Sequence, residues 1–370
     1  MKPTVSFICA SYNHERFVKK FIASIANQTI PDWELVIVDD GSSDGNAAAI
    51  RECLTGVGDG RIKFIEHGCN KGMANAFNSA FAEADADYVV ICGSDDEFLP
   101  HYAETVVNAF RQNPDVGAVY CNLEKIDEDS RLIGKRFEIP YGSSAEDIFA
   151  RLFLESNDLP SPGAAFRRDV LAKAMPMQNG FLQCADAEIN LKVAFDNRIS
   201  IIKDGLVLYR EVEGSAGSRS ERVKQRQMAE TICMMDEVAA MIGNSPQMLL
   251  RHFGGNDLLK GVDVIPETVG FWLGRLALTG KEYSRRLWGL MQVVKAMGDE
   301  KTADILLGKY GFTFKDLLGL SACLEEKIPY YKKYRRYSKW MRILLVGSGV
   351  FLLIAITALW LFLQSMKGDA

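Results

Sequence analysis

Histidine is scarce in this chain. Four occur among 370 residues, with no HxxxH pattern, so the common histidine-based metal sites are not expected. The eight cysteines (9, 53, 69, 92, 121, 184, 233 and 323) form no CxxC pair. Most lie in apolar runs, where a free thiol packs as a small hydrophobe. This excludes a disulfide framework and a zinc site and points to a reducing compartment. Glycine is missing where a phosphate cradle would need it. The turn after the first strand-like run reads ASYNHE, not the GxGxxG of a dinucleotide fold, and no GxxxxGK[ST] loop is present. The opening MKPTVSFICAS has an apolar run too short for a secretory signal, and no repeat or low-complexity tract interrupts the chain.

What is there describes a folded protein long enough for more than one domain: 48% hydrophobic and 25% charged residues. The net charge of −5 is unevenly spread, because residues 327–342 carry seven basic side chains and no acid. The first 326 residues therefore hold about −12, a poor surface for nucleic acid. Residues 343–363, ILLVGSGVFLLIAITALWLFL, are uncharged over 21 positions. As a helix they would span about 31 Å, close to the hydrocarbon core of a bilayer. Trp340 and Trp360 fall near the two interfaces and the basic run precedes the segment. The reading is a single-pass protein of a bacterial inner membrane with its long N-terminal body cytoplasmic, anchored by this helix and the basic juxtamembrane stretch.

Upstream, apolar runs at 5–10, 33–38, 62–66, 88–92 and 116–121 alternate with helical stretches at 15–27, 44–54, 72–84 and 100–111. Phe17, Val18, Phe21, Ile22 and Ile25 recur at helical spacing. Repeated β-α-β units predict a mostly parallel, Rossmann-like sheet whose ligands bind beyond the carboxyl ends of the strands. Residues 220–242, 246–253, 266–278, 281–297, 300–309 and 313–325 read as helices, with a flexible linker over 215–226. Four parts follow: an α/β domain over 1–214, a helical domain over 215–326, the basic segment 327–342 and the apolar segment 343–363.

Two strands end in paired acids, Asp39 with Asp40 and Asp95 with Asp96. Two carboxylates about 4 Å apart repel by roughly 4 kcal/mol at an effective dielectric of 20. With no backbone nest for a diphosphate, a hard cation shared by Asp95 and Asp96 would balance both charges. A plain helix cap ahead of the helix near Pro100 would also account for the pair, and spacing alone leaves both readings open.

The strings VSFICASYNHERFVKKFIASIANQT, WELVIVDDGSSD, NKGMANAFNSAFAEADADYVVICGSDDEFLP and CADAEINLKVAF resemble, in order and spacing, the motifs of family 2 glycosyltransferases over residues 4–213. These are inverting enzymes of the GT-A fold that use nucleotide-diphospho-sugars. The resemblance implies that Ala10, Tyr12 and Asn13, together with Asp39 and Asp40, hold the nucleoside. It places Asp95 and Asp96 at the family's metal-binding acids, with Asp96 the direct Mg²⁺ or Mn²⁺ ligand and Asp95 also near the nucleotide. It makes Asp186 the general base; without the motif order, Asp186 would read as an ordinary acid at a helix start. The chain departs from the pattern at Gly93 (the first acid of DxDD), Ala185 (the Glu before the base) and Phe77 (often Arg). It also lacks the metal-binding His after Tyr209 and Arg210, where it has Glu211, Val212 and Glu213. No QxxRW string is present, which argues against a processive synthase.

The expected function is the metal-dependent transfer of a single sugar from a nucleotide-diphospho-sugar to a glycan or lipid-linked acceptor hydroxyl at the cytoplasmic membrane face. Oligomers are compatible with it. The alternative from another class is a degenerate homologue that binds nucleotide-sugar or partner proteins without turnover.

Overall fold

The computed structural model describes residues 2–57, 60–140, 148–212 and 221–325. Two compact units divide between Tyr310 and Gly311.

In the first unit, β1 (Val5–Ser11), β2 (Trp33–Asp39), β3 (Ile62–Glu66) and β4 (Tyr88–Gly93) run parallel in the order β3-β2-β1-β4. All seven residues of β2 are buried, as a β-branched run covered on both faces requires. Helices α1 (Val18–Ala26), α2 (Asn46–Val57), α3 (Met73–Ala82) and α4 (Tyr102–Gln112) fall where the sequence periodicity expects them. The stripe of α1, with Val18, Phe21, Ile22 and Ile25, is buried in the core.

The sheet does not continue as a purely parallel one. It adds β5 (Glu97–Phe98), β6 (Val116–Ile126), β7 (Leu132–Phe137), β8 (Ala164–Arg167) and β9 (Arg198–Arg210), in the full order β3-β2-β1-β4-β8-β6-β9-β5 with β7 beside β6. Strand β8 is antiparallel to both β4 and β6, while β9 runs parallel to β6. The sheet is therefore mixed. With four residues in β8 and two in β5, these strands are too short to show a period in sequence, and their partners lie far away along the chain. Helices α5 (Ile148–Leu154), α6 (Arg168–Ala174) and α7 (Ala185–Asp196) belong to this half.

The remaining helices of this unit are α8 (Glu221–Ile242), α9 (Pro246–Phe253), α10 (Val269–Leu278), α11 (Tyr283–Gly298) and α12 (Glu300–Tyr310). Helices α10 and α11 approach through facing glycines. A Cβ at Gly274 would lie 2.7 Å from Gly289 O, and one at Gly289 would lie 2.6 Å from Gly274 O, so neither position has room for a side chain. The buried Arg285 of α11 donates to Leu152 O and to Phe153 O (2.7 Å), satisfying carbonyls at the end of α5 that the helix itself leaves open. Trp288 Nε1 donates to Asp236 Oδ1 (2.8 Å) and ties α11 to α8. In the second unit, α13 (Phe314–Glu325) starts from Thr313, whose amide and hydroxyl both donate to Asp316 Oδ2.

The membrane placement expected from sequence is corrected. Among the described residues no helix is long and apolar enough to cross a membrane. The longest, α8 with 22 residues, carries charge along its length (ERVKQRQMAETICMMDEVAAMI). The 343–363 segment and the basic stretch before it lie outside the described residues, as do residues 215–220 of the expected linker.

Candidate active site

At the carboxyl edge of the parallel strands a cavity of about 530 Å³ opens. The loop after β1 contributes Ala10, Tyr12 and Asn13, the turn after β4 contributes Gly93, Asp95 and Asp96, and the start of α7 contributes Ala185 and Asp186. Six of the eight site residues expected from sequence thus line one space, together with Gly93, Ala185 and Phe77, where the chain departs from the family pattern. Phe17, first of the apolar stripe expected for α1, lines the cavity as well, as do His14, Leu182 and Gln183, which nothing in their spacing distinguishes before folding.

Asp39 and Asp40 do not line the cavity. Both are buried and engaged within the chain. Asp39 accepts from Asn46 Nδ2 (2.6 Å) and the Ser42 amide (3.0 Å). Asp40 accepts from the Lys71 amide (3.0 Å) and the Gly72 amide (2.8 Å) and lies 2.7 Å from His67 Nδ1. It thereby caps the approach to α3, whose own N-cap residue is a glycine. Asn13 adopts φ 54° and its Oδ1 accepts from the Ser43 amide (2.8 Å), which joins the loops after β1 and β2.

The second doublet is built differently. Neither acid caps α4, whose N-cap is His101. Arg210, at the end of β9, is buried and reaches across the turn. Its Nε donates to Asp95 O (2.7 Å), its guanidinium pairs with Glu97 Oε1 (2.5 Å) and donates to Asp127 O (2.6 Å), and its amide donates to Asp96 Oδ1 (3.0 Å). Part of the charge that accumulates here is thus met by this one cation. The remaining carboxylate oxygens converge: a Cβ at Gly93 would lie 2.7 Å from Asp95 Oδ1 and 3.0 Å from Asp96 Oδ2. Burial and the neighbouring Asp95 push the Asp96 carboxyl well above the usual range, against the pull of the Arg210 amide. Asp95 Oδ1 and Asp96 Oδ2 both lie close to Gly93 at the cavity wall, and such a pair of hard oxygen donors suits a divalent cation that keeps water and phosphate as its other ligands. His14 stands nearby, its Nε2 3.9 Å from Asp95 Oδ2 and its Nδ1 2.7 Å from Ser94 Oγ. Among the described residues no group of three or more His, Cys, Asp or Glu side chains gathers as a protein-only cage.

Asp186 sits in the first turn of α7. Its Oδ1 accepts from the Ala187 amide (2.7 Å) and its Oδ2 from Asn157 Nδ2 (3.1 Å). Asn157 is held in turn. Its Oδ1 accepts from Asn190 Nδ2 (2.8 Å), and Asn190 Oδ1 accepts from the buried Tyr120 hydroxyl (2.6 Å). Burial pushes the Asp186 carboxyl up to about 6, while the amide and Asn157 hold it from rising further. A carboxyl near neutrality at a cavity wall can accept a proton at ordinary pH.

The model of the family described as Glycosyl transferase family 2 matches residues 6–174. An uncharacterized glycosyltransferase of Nostoc sp. is 32% identical over 211 residues, covering 56% of this chain and 64% of its own. The UDP-Glc:alpha-D-GlcNAc-diphosphoundecaprenol beta-1,3-glucosyltransferase WfgD of Escherichia coli is 29% identical over 225 residues, covering 60% of this chain and 83% of its own. The chain thus spans less than two thirds of the length of the first of these relatives. A crystal structure of S. aureus TarS in complex with UDP superposes with a TM-score of 0.53 at 16% identity, over 79% of this chain and 88% of that one, a likeness of fold. Residues 6–174 are thus similar to glycosyl transferase family 2, and the chain has a GT-A-type α/β fold, with a mixed sheet and a helical C-terminal region.

Proposed function

We propose that this glycosyltransferase moves one sugar from a nucleotide-diphospho-sugar to the hydroxyl of a glycan or lipid-linked acceptor, with inversion at the anomeric carbon. The observation that carries the reading is the meeting of Asp95, Asp96 and Asp186 in one cavity, with two carboxylates converging beside Gly93 and the third raised toward neutrality by burial. The printed substrate of the WfgD enzyme, a sugar-diphospholipid, is the model for the acceptor class.

In this reading Asp95 and Asp96 hold Mg²⁺ or Mn²⁺, and the bound ion supplies electrostatic stabilisation of the departing diphosphate. Ala10, Tyr12 and Asn13 bind the nucleoside from the loop after β1. Asp39 and Asp40 support that end of the site, Asp39 by holding the Ser42 amide of the loop after β2 and Asp40 by fixing the start of α3. Asp186 takes the acceptor proton as the hydroxyl oxygen attacks from the face opposite the leaving group. Residues 1–214 carry this chemistry, and helices α8 to α12 serve as its support.

Asp186→Asn is expected to cut transfer by about a thousandfold while leaving donor affinity within a few-fold, since a general base contributes about 10²–10⁴ in rate. A panel of UDP-, GDP- and dTDP-sugars with Mn²⁺, read by transfer and by calorimetric binding, tests it. Equal loss of binding and turnover would make Asp186 a binding residue. Binding without turnover by the unmodified protein would instead favour the non-catalytic homologue.

A further inference from the structure

Glu230 belongs to α8, well beyond the segment matched by the family model, and is only 5% exposed. Its Oε2 accepts hydrogen bonds from three consecutive backbone amides: Leu182 (3.1 Å), Gln183 (2.7 Å) and Cys184 (3.0 Å). Its other oxygen faces Arg226 Nε at 3.5 Å. The same stretch is tied to α8 a second time, where Cys184 Sγ lies 3.6 Å from Thr231 Oγ1.

Three successive amides aimed at one point form the kind of concavity that proteins use to bind anions. Here the chain fills it with its own carboxylate. A buried carboxylate is costly unless compensated; three amide bonds to Oε2, of a kind about twice as strong to a charged acceptor as to a neutral one, and the Arg226 charge beside Oε1, which itself accepts no hydrogen bond, offset that cost. The grip also acts where α7 most needs it, because the helix's N-cap, Cys184, makes no side-chain cap of its own. Asp186 follows two residues later, and Leu182 and Gln183 face the cavity. The strand of backbone that presents the acid is thus open to the cavity in front and held by Glu230 from behind.

We propose that Glu230 is a positioning residue for sugar transfer: by gripping the amides of residues 182–184 it fixes the entry to α7 and so the aim of the Asp186 carboxylate into the cavity. The proposal rests on Asp186 being the base. It also assigns the helical region a direct part in setting the site.

The test compares full-length wild type with Glu230→Ala, Glu230→Gln and Asp186→Asn. Its readouts are kcat and donor KM on the nucleotide-sugar selected from the UDP-, GDP- and dTDP-sugar panel with Mn²⁺, and backbone hydrogen exchange without any ligand. Glu230→Ala is expected to lower kcat by about 10- to 100-fold, the cost of roughly 1 Å of misplacement, with donor KM within about threefold. Exchange protection should be lost over 182–188 and kept in β1 and β4. Glu230→Gln, which retains an acceptor oxygen, should recover most of both. Wild-type kcat in Glu230→Ala, or wild-type protection over 182–188, overturns the proposal. So does loss of protection throughout the sheet, which would make Glu230 a folding residue. Wild-type kcat in Asp186→Asn brings down the reading of the base and with it the aiming role of Glu230; the exchange result at 182–188 tells this outcome from a failure of the Glu230 grip itself.

Discussion

The two aspartate doublets read alike in sequence, each closing a parallel strand at the same edge of the sheet, yet the fold treats them differently. Asp39 and Asp40 are surrounded by donors: an asparagine, a histidine and the amides of three loop residues. Asp95 and Asp96 share one charged partner region, Arg210, and line the cavity with oxygens that lie close to Gly93. The difference teaches that a pair of acids acquires its chemistry from the hydrogen-bond donors the fold supplies or withholds. A satisfied carboxylate is a structural cap; one left facing a cavity is available to a cation or a substrate.

The sharpest way to break the comparison is to neutralise each doublet. Replacing Asp95 and Asp96 by asparagine should lower transfer by about a thousandfold, the several kcal/mol a bound cation supplies, without lowering the melting temperature. Retained activity in that variant, or in EDTA, would remove the metal from the reading. Asp40→Ala should do the reverse. It strands two amides and a histidine, and urea unfolding should show a loss of about 3 kcal/mol with turnover per folded molecule little changed.

Asp186 stands between the two cases, with some acceptor capacity used and some facing the cavity. Its folded carboxyl is raised to about 6 from an ordinary 3.8, so the native state binds the extra proton and its ionisation costs stability. Stability from this group is full below about pH 4 and is lost as pH rises through about 6. Asp186→Asn should therefore stabilise the fold by about 2 kcal/mol at pH 8, with the gain vanishing near pH 4, as followed by thermal melts across pH. The smallest effect belongs to Asn157→Ala. It removes a donated hydrogen bond that lowers the Asp186 carboxyl, so the acidic limb of kcat should move up by about half a pH unit.

Much of this organisation is legible before folding because it is local. The apolar runs of β1 to β4 and β6, and the stripe of α1, announce themselves through burial that repeats along the chain. Helix α7 does not, since Ala187, Ile189, Leu191 and Val193 alternate with Asp186, Glu188, Asn190 and Lys192, the period of a strand and not of a helix, and Glu188 and Asn190 are buried with the apolar set. Ala10, Tyr12, Asn13, Asp95, Asp96 and Asp186 could be picked from motif strings. Asn157, Arg210 and Glu230 could not, because their partners are main-chain groups or single side chains dozens of residues away and no spacing encodes them. Asp40 marks the same limit from the other side: the sequence displays a carboxylate at the binding edge, and only the fold shows the amides that occupy it.

The guanidinium of Arg210 is shared by the turn that carries the acidic pair and by the β6–β7 hairpin tip, through Asp127 O and Ser130 Oγ, and it rests 4.8 Å over the ring of Phe17. The tip of a hairpin is thereby mechanically coupled, through one buried side chain, to the turn that bears the acidic pair.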